Sequence, residues 1–452
     1  MKHLDHARRI FAAGVSGGDP VNGVRAKLMG MRGVLGDEKF SRILLTGAGK
    51  ASAQMAMCAL KTFGEMGGLD KEISGRIITK AGHVDKETQV YLEGQNVEVY
   101  QGGHPIPDKG GVEATRGLLE MARAYATDDT LVLNLVSGGG SALTCLPAQG
   151  LELADIQSTV DGLLSSGATI EEMNIVRRHL TVYQGGRLSR ACYPATVYSL
   201  ILSDVVGDHL ATIAGGPTVA DASTFMDCAN VLTKRLPGKI PKNVLSFISQ
   251  QDLTKFETIS PGDICLKNTT NMIVANNSSA LLEAKRCAVD LGYSTHILTS
   301  KLEGEAQEVA RFLCSIARDS GASGFVGEEL PCCFLAGGET TVTMCESSSG
   351  NGGRNQEMAL SAAVELASKP CTHGIAFLAG GTDGQDGPCD AAGAVVDNSV
   401  CVTETDMFEA KSCLARHDSY GFFEKRSGNH IKIGPTGTNV MDISVLLVYN
   451  KD

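Results

Sequence analysis

The stretch "LVLNLVSGGGSAL", residues 131 to 143, joins an apolar run to three consecutive glycines that stand between two serines. Glycine loses the most conformational freedom on folding, so three in a row require a sharp turn or the close approach of another group. We interpret the stretch as a buried strand, a loop of unshielded backbone and the beginning of a helix. The backbone amides of such a loop can approach an anion.

The same arrangement recurs along the chain. Short apolar runs that lead into glycine-rich or small polar loops occur in "RILLTGAGKASAQMAMCAL", "YSLILSDVVGDHLATIAGGPT", "MIVANNSSALLEAKRCAVDLGY", "CCFLAGGETTVT" and "IAFLAGGTDGQDG". Apolar runs of this length, separated by helix-length segments, are typical of parallel strands that are buried on both faces. The sequence therefore predicts an α/β protein with mainly parallel sheets, whose ligands bind beyond the carboxyl ends of the strands.

The length of 452 residues exceeds the size at which one hydrophobic core usually keeps growing. We therefore expect two Rossmann-like α/β/α domains with an interdomain cleft. Residues 234–270 combine three prolines and several lysines with little strand-like pattern, which is typical of a domain boundary. The predicted domains cover residues 1–245 and 262–452.

Charge and composition exclude several classes of protein. The formal net charge is −11 and there is no sustained basic stripe, which argues against a nucleic-acid binder. The 14 cysteines include no CxxC pair, so we expect reduced and mostly buried thiols. No apolar run reaches the roughly 18 residues of a membrane span. We expect a cytoplasmic protein; the first 20 residues have the helical spacing of a domain helix, with a mitochondrial transit peptide as the alternative.

The loop "TGAGKAS", residues 46–52, resembles two phosphate-binding motifs without matching either. Leu44 stands where a P-loop has its first glycine, and Ala51 stands where Ser or Thr would hold Mg²⁺. What remains is Lys50, framed by Gly47 and Gly49 at a predicted helix N-terminus, where an ammonium and backbone amides both favour phosphate. A solvated surface lysine is the alternative.

Three further segments carry charged candidates. In "SLILSDVVGDH", Asp204 follows an apolar strand and Asp208 comes four residues later; such a carboxylate can accept a hydroxyl proton or hold a cation, or it can cap a helix. In "GNGGRNQEMAL", Arg354 can bind carboxylate or phosphate with two parallel hydrogen bonds, or form an ordinary ion pair. The segment "GTDGQDGPCDAAGAVVD" offers Asp383, Asp386 and Asp390 for Mg²⁺ or ribose, with turn-forming Asp-Gly pairs as the alternative.

Two other residues give weaker signals. His104 in "GGHPIPD" lies between glycine and proline in a turn, where it has either a structural role or contact with a ligand. Ser141 lacks the closing glycine of a nucleophile elbow, so a hydrolase is not indicated.

Taken together, the loops closely resemble the glycerate 2-kinase family, the glycerate kinases with a leucine-rich C-terminal domain. The likeness runs from about residue 7 to the C-terminus. It is carried by "GAGKAS", "GGHPIPD", "VSGGGSAL", "MNIVRRHL", "SLILSDVVGD", "AGGPT", "AGGETTV", "GGRNQEMAL", "GTDGQDG" and "GPTGTNVMDISVLLV". His209 and Ala214 depart from the family, which more often has an acidic residue and a serine at these positions.

The resemblance implies a kinase that uses ATP and Mg²⁺ to phosphorylate D-glycerate at its 2-hydroxyl. It implies that Lys50, Asp204 and Arg354 line the active site and that "GTDGQDG" is a loop on the substrate or nucleotide side. The implied phosphate-binding loop consists of Ser137, Gly138, Gly139, Gly140 and Ser141.

We expect Lys50 and Arg354 to neutralise the migrating phosphoryl group or the glycerate carboxylate, and Asp204 to accept the hydroxyl proton. Asp383 or Asp386 would hold the metal, with Asp208 on the substrate or metal side. The partners are then small molecules, with a homodimer left open.

Two alternatives remain. An NAD(P)H-dependent hydroxypyruvate reductase would require a dinucleotide fingerprint, whose acidic partner is missing because Asp70 lies in a loop-like segment. A non-catalytic sensor of nucleotides or sugar acids would bind without turnover.

Overall fold

The computed structural model describes residues 2–249, 257–327, 329–344, 350–369 and 371–451. The chain forms two compact units, which we call the N-terminal unit (Pro20–Ser203 and Asp208–Val274) and the C-terminal unit (Met1–Asp19, Asp204–Gly207 and Ala275–Asp452). The first helix, α1 (Lys2–Gly17), belongs to the C-terminal unit. Each unit contains one six-stranded sheet with helices packed on it, so the predicted α/β class is confirmed.

The sheet of the N-terminal unit has the strand order β3-β2-β1-β4-β5-β6. Strands β1 to β5 are all parallel, so their carboxyl ends lie at one edge. All seven residues of β4 are buried, as the apolar run around residue 131 predicts. The strands are β1 (Arg42–Ala48), β2 (Glu72–Lys80), β3 (Val97–Gly102), β4 (Thr130–Val136), β5 (Thr196–Leu202) and β6 (Thr269–Ala275).

A buried polar row fixes the register of the central strands. Thr46 Oγ1 donates to Asn134 Oδ1 at 3.1 Å, and Asn134 Nδ2 donates to Ser199 Oγ at 2.8 Å. Because a buried polar group without a partner is costly, a shift of β1, β4 or β5 by one residue would break this row.

Several helices of the N-terminal unit begin with a side-chain cap. Asp85 and Asp108 accept from backbone amides at the starts of α5 and α6, and Thr169 and Thr224 do so at α9 and α11. The helices are α2 (Pro20–Gly30), α3 (Arg32–Leu35), α4 (Ser52–Glu65), α5 (Lys86–Gly94), α6 (Lys109–Ala124), α7 (Gly140–Leu143), α8 (Leu153–Ser165), α9 (Ile170–Leu180), α10 (Arg187–Cys192), α11 (Phe225–Arg235) and α12 (Lys242–Ile248).

The sheet of the C-terminal unit has the order β11-β10-β9-β12-β8-β7 and is mixed. β12 is antiparallel to β8 and β9, and β10 is antiparallel to β9 and β11, while β7 and β8 are parallel. The expectation of a mainly parallel sheet therefore holds for the N-terminal unit and is wrong for these pairings. A strand that is buried on both faces is apolar throughout in either direction, so its pattern does not reveal its orientation.

The strands of the C-terminal unit, and its α-helices other than α1, come after β6 in the chain. The strands are β7 (Ser294–Leu302), β8 (Cys332–Gly338), β9 (Gly374–Gly381), β10 (Gly393–Asp397), β11 (His430–Ile431) and β12 (Asp442–Tyr449). The helices are α13 (Asn277–Asp290), α14 (Ala306–Asp319), α15 (Arg354–Ser368), α16 (Glu404–Arg416) and α17 (Ser419–Glu424).

The helix predicted near the N-terminus forms and buries Ala7, Ile10 and Phe11. It packs on α13, so residues 2–17 belong with the C-terminal sheet although the prediction placed them in domain 1–245. The limits 1–245 and 262–452 themselves stay a prediction, and residues 250–256 of the predicted boundary lie outside the described residues. All cysteines that the structure describes are free, and most are buried, as predicted. Within the described residues, no helix is both long and apolar enough to cross a membrane.

Candidate active site

The glycine loop leaves the carboxyl end of β4 and leads into α7, which confirms the predicted strand-to-helix loop. Gly139 has a φ of +85°, a conformation that favours glycine. A Cβ atom on Gly139 would lie 3.0 Å from Cδ2 of His104, and one on Gly140 would lie 2.6 Å from Cβ of Ala214. The bare backbone therefore lets neighbouring loops approach closely.

The lysine loop is fixed to the glycine loop by backbone bonds. Lys50 N donates to Gly138 O at 3.0 Å, and Ala51 N donates to Ser137 Oγ at 2.9 Å. Helix α4 begins at Ser52, so Lys50 lies just before a helix N-terminus, as predicted. Gly49 has a φ of +139° and packs against Ser137.

Gly47 and Ser141 are also predicted to bind phosphate, and their surroundings differ from those of the loop glycines. Gly47 lies inside β1, where a Cβ would lie 2.6 Å from Leu135 O; packing between strands explains this glycine. Ser141 lies in α7, and its carbonyl oxygen accepts from Gln184 Nε2 at 3.1 Å.

Four basic side chains surround the glycine loop, and we call them the basic cluster: Lys50, Lys80, His83 and His104. Lys80 ends β2, while Lys50 and His104 follow β1 and β3, so the parallel sheet delivers them to one edge. Burial, and then the charges of Lys50, Lys80 and His83, lower the pKa of His104 to about 4. Burial and the two lysines also lower the pKa of His83.

None of these four side chains forms an ion pair within the described part of the chain. Two ammonium groups thus stand without a carboxylate beside unshielded backbone, and such an arrangement attracts an anion.

The edge of the C-terminal sheet carries the opposite charge. Glu339 follows β8 and Asp383 follows β9, and Asp442 begins the antiparallel strand β12 opposite Gly338 and Gly381. A Cβ on Gly381 would lie 3.2 Å from Asp383 Oδ1 and 3.5 Å from Asp442 Oδ1, which places these two carboxylates together. With Asp204, whose charge acts on Glu339, these residues form what we call the acidic cluster.

Arg354 is the first residue of α15 and is held by two members of the acidic cluster. Its Nε donates to Asp442 Oδ2 at 2.5 Å and its Nη2 to Asp442 Oδ1 at 2.9 Å, while Nη1 lies 3.1 Å from Glu339 Oε1. The predicted bidentate geometry is thus satisfied by a protein carboxylate. Burial works to lower the pKa of Arg354, but the hydrogen bond to Asp442 and the charges of Asp442 and Glu339 outweigh it and raise the pKa.

Within the acidic cluster, the carboxyl of Glu339 has a raised pKa. Burial raises its pKa, and the charges of Asp442, Asp204 and Asp383 act in the same direction against that of Arg354. Its side chain remains 47% exposed, so it is open to solvent. The structure therefore brings together Asp204, Arg354 and Asp383 of the predicted site residues in this unit.

Asp386 lies elsewhere. Its Oδ1 accepts from Asn355 N and Nδ2 at 3.1 and 3.2 Å, and its Oδ2 accepts from Gln356 N and Nε2 at 2.9 and 3.1 Å. Burial raises its pKa to about 6. These four bonds make Asp386 a cap for the start of α15, and the predicted metal-ligand role does not fit a carboxylate whose oxygens are already occupied.

The remaining predicted acids are Asp390 and Asp208. Asp390 pairs with Lys432 at 3.0 Å, so it belongs to a surface ion pair. Asp208 belongs to the N-terminal unit and has a φ of +58°; its place on the substrate or metal side stays a prediction. Among the described residues, no group of three or more His, Cys, Asp or Glu side chains is arranged to hold a metal ion.

Sequence reasoning missed Lys80, His83, Glu339 and Asp442. The first three could have been found, because each follows an apolar run in the same way as Lys50 and Asp204 do. Asp442 could not have been found in this way, since it stands at the beginning of its strand and reaches this edge only because β12 is antiparallel.

Comparison with known proteins gives matches over nearly the whole chain. A domain of unknown function (DUF4147) matches residues 6–249, and the MOFRL family matches residues 332–442. The D-glycerate 2-kinase of Thermotoga maritima is 38% identical over 410 residues, which cover 90% of this chain and 91% of that protein. A protein of Agrobacterium vitis whose name suggests a hydroxypyruvate reductase is 37% identical over 442 residues, covering 98% of this chain and 93% of that protein.

A solved structure agrees with these matches. The crystal structure of the glycerate kinase of T. maritima matches with a TM-score of 0.84 at 35% identity, and the match covers 99% of both chains. The resemblance carried by the glycine and charged loops is confirmed, and the chain belongs to the glycerate kinase family.

Proposed function

We propose that this protein transfers the γ-phosphoryl group of ATP to the 2-hydroxyl of D-glycerate. The observation that supports it most directly is the basic cluster beside the glycine loop, in which Lys50 and Lys80 have no carboxylate partner among the residues that the structure describes. Phosphoryl transfer requires fixed positive charge and backbone donors around the phosphates more than it requires covalent chemistry. The names of the relatives from T. maritima fit the same reaction.

On the donor side, we assign the phosphates of ATP to Lys50 and to the loop from Ser137 to Ser141, with the amides from Gly138 onward as donors because Ser137 N already donates to Ala48 O. The ammonium of Lys50 stabilises the charge that spreads over the migrating group. We assign Mg²⁺ to the phosphates of ATP, whose oxygens would be its main ligands. Asp383, which uses Oδ1 to accept from Gln385 N at 3.0 Å, is the carboxylate that we assign to the metal side.

On the acceptor side, we assign Asp204 as the base that takes the proton of the 2-hydroxyl as the new P–O bond forms. Arg354 donates two of the five N–H groups of its guanidinium to Asp442, while Nη1 lies 3.1 Å from Glu339, and we assign the remaining donors to the glycerate carboxylate. Asp442 acts as a positioning residue, since it fixes the plane of that guanidinium.

The reductase suggested by the A. vitis name is the second candidate. A dinucleotide fold that uses NADH has an acidic residue for the ribose near the end of its second strand. Here β2 ends in Lys80, and Asp70 precedes the strand. The sensor alternative gives no chemical role to Asp204 and Arg354, whose charges both act on Glu339.

One experiment distinguishes these functions. The purified protein is given D-glycerate with ATP and Mg²⁺, and separately hydroxypyruvate with NADH or NADPH. Formation of ADP and 2-phosphoglycerate, resolved from the 3-isomer, supports the proposal. Oxidation of the nicotinamide supports the reductase, and nucleotide binding without either product supports the sensor.

A further inference from the structure

A pocket of about 290 Å³ lies inside the N-terminal unit, against the glycine loop. One wall is the turn Pro105–Pro107, and the opposite wall is the face of α8 that carries Ile156, Val160 and Leu164. Gln157 Nε2 donates to Pro107 O at 2.7 Å and braces the two walls against each other. The walls are mostly aliphatic and the pocket is preformed, as is usual for the site of an organic ligand.

The pocket adjoins the glycine loop and the turn that follows His104. Ser141 and Ala142 line it and directly follow the three glycines, and Pro105 directly follows His104. A ligand whose phosphate lies on the glycine loop could therefore place its organic group in the pocket, because the pocket wall begins one residue after the last glycine.

One cation in the pocket has no partner. The side chain of Arg177 forms no ion pair and donates no hydrogen bond to any residue that the structure describes. Its neighbour Cys145 is a neutral thiol, since burial raises the pKa of Cys145 to about 12. Burial also lowers the pKa of Arg177. A partly buried charge without compensation destabilises a fold and is a feature of sites that await a ligand.

A second polar group in the pocket is also unsatisfied. Gln184 is only 1% exposed, and its Oε1 has no hydrogen-bond partner among the described residues. Its Nε2 donates to Ser141 O, so the amide is oriented by the glycine loop. Oε1 lies against Gly215, where a Cβ would be 2.4 Å from it, so Gln184 is a buried polar residue of the pocket wall whose acceptor is left unsatisfied.

We propose that this pocket binds the adenine base of the phosphoryl donor between the Pro105–Pro107 turn and α8, with Arg177 against the ring. This assignment rests on the proposed kinase function and extends it, because it names the unit and the walls that select the nucleotide. The aliphatic walls match the two faces of a purine, and the guanidinium stacks on its π system. Glycerate fits poorly, since a three-carbon acid with two hydroxyls would leave aliphatic walls uncovered.

The decisive variants are Val160→Phe, which fills the pocket, and Ser158→Phe, which adds the same ring to an exposed position of α8. Binding of ADP and of tripolyphosphate is measured by calorimetry. We expect Val160→Phe to weaken ADP at least about tenfold while tripolyphosphate, which has no base, binds as to the wild type. Ser158→Phe should match the wild type with both ligands.

A second variant guards against a packing effect, because Val160 also contacts the core between α8 and α9. The side chain of Leu164 is 58% exposed, so Leu164→Glu replaces part of the aliphatic wall with a carboxylate without disturbing that core. It should weaken ADP and leave tripolyphosphate unchanged. Equal ADP affinity in Ser158→Phe, Val160→Phe and Leu164→Glu overturns the proposal, and so does a raised KM for glycerate with unchanged ADP affinity.

Arg177→Met separates a ligand-binding role from a structural one. Removing an unpaired buried charge should raise the melting temperature, while the loss of the stacked cation should weaken ADP. A fall in melting temperature with unchanged ADP affinity would assign Arg177 to the fold and overturn its part of the proposal. If the wild type forms no ADP from ATP and glycerate, the kinase proposal fails, and the ADP titrations still decide the pocket.

Discussion

The edges of the two sheets differ in whether their cationic side chains have carboxylate partners. At the edge of the N-terminal sheet, Lys50 and Lys80 arrive on parallel strands and find no carboxylate among the described residues. At the edge of the C-terminal sheet, the antiparallel strand β12 brings Asp442 beside Arg354 and neutralises it. The first edge leaves its cations unpaired for a ligand, whereas at the second edge Asp442 already compensates and orients the cation.

Replacing Lys50 with Ala is expected to have the largest effect. Loss of one preorganised donor to transition-state charge lowers turnover by roughly 100- to 1,000-fold, and kcat should fall by about that factor. The melting temperature should not change, because Lys50 has no ion pair to lose within the described residues.

Lys61, exposed on the same helix that follows the lysine loop, provides the control variant Lys61→Ala. Both variants are assayed with saturating ATP and glycerate and melted in parallel. A Lys50→Ala protein that keeps most of its turnover, or that melts well below Lys61→Ala, would break the contrast between the two edges.

Arg354→Ala should lose stability as well as activity. It leaves Asp442, whose side chain is 7% exposed, without its bidentate partner, and breaking a buried pair costs about 3 kcal/mol. In both stability and activity, Arg354→Lys should fall between the wild type and Arg354→Ala, since one ammonium restores the charge but not both hydrogen bonds. Urea unfolding and kcat/KM for glycerate measure the two losses; equal unfolding midpoints for Arg354→Ala and Lys50→Ala would contradict the contrast.

Asp386, which caps α15, should make the stability of the C-terminal unit depend on pH. Burial raises the pKa of its carboxyl from 3.8 to about 6, so its contribution to stability is present below about pH 4 and is lost as the pH rises through about 6. The loss amounts to about 3 kcal/mol.

Urea unfolding of the wild type and of Asp386→Asn between pH 4 and pH 8 measures this term. The wild type should lose stability relative to the variant between about pH 4 and pH 6 and then run parallel to it. A difference between the two proteins that is constant over this range would remove Asp386 from the titrating groups.

The parts that could be predicted from sequence are those that depend on local pattern. The run at residues 131–143 predicts β4, its loop and the turn into α7, because a buried strand, three glycines and a helix start are neighbours in the chain. The position of Lys50 before α4 follows from the same logic.

What could not be predicted depends on the direction of strands and on distant pairing. Nothing in the apolar residues of β12 reveals that it runs antiparallel, so neither Asp442 nor its hold on Arg354 could be inferred. Likewise, Asp386 looks like a metal ligand in "GTDGQDG" until the first turn of α15, 30 residues earlier in the chain, supplies its four N–H donors.

The smallest expected effect concerns His104 and tests whether an anion binds at the edge of the N-terminal sheet. Burial and the neighbouring cations hold the pKa of His104 near 4, so the imidazole is neutral at pH 7. A polyphosphate bound to the basic cluster would oppose those cations and raise that pKa, so binding should take up a proton as the pH falls. We expect the affinity for tripolyphosphate to rise a few-fold from pH 7.5 to pH 5.5, and His104→Gln to remove His104's share of this rise while leaving affinity at pH 7.5 unchanged. The same pH dependence in both proteins would mean that the anion lies away from His104, and hence away from Gly139, which the imidazole covers.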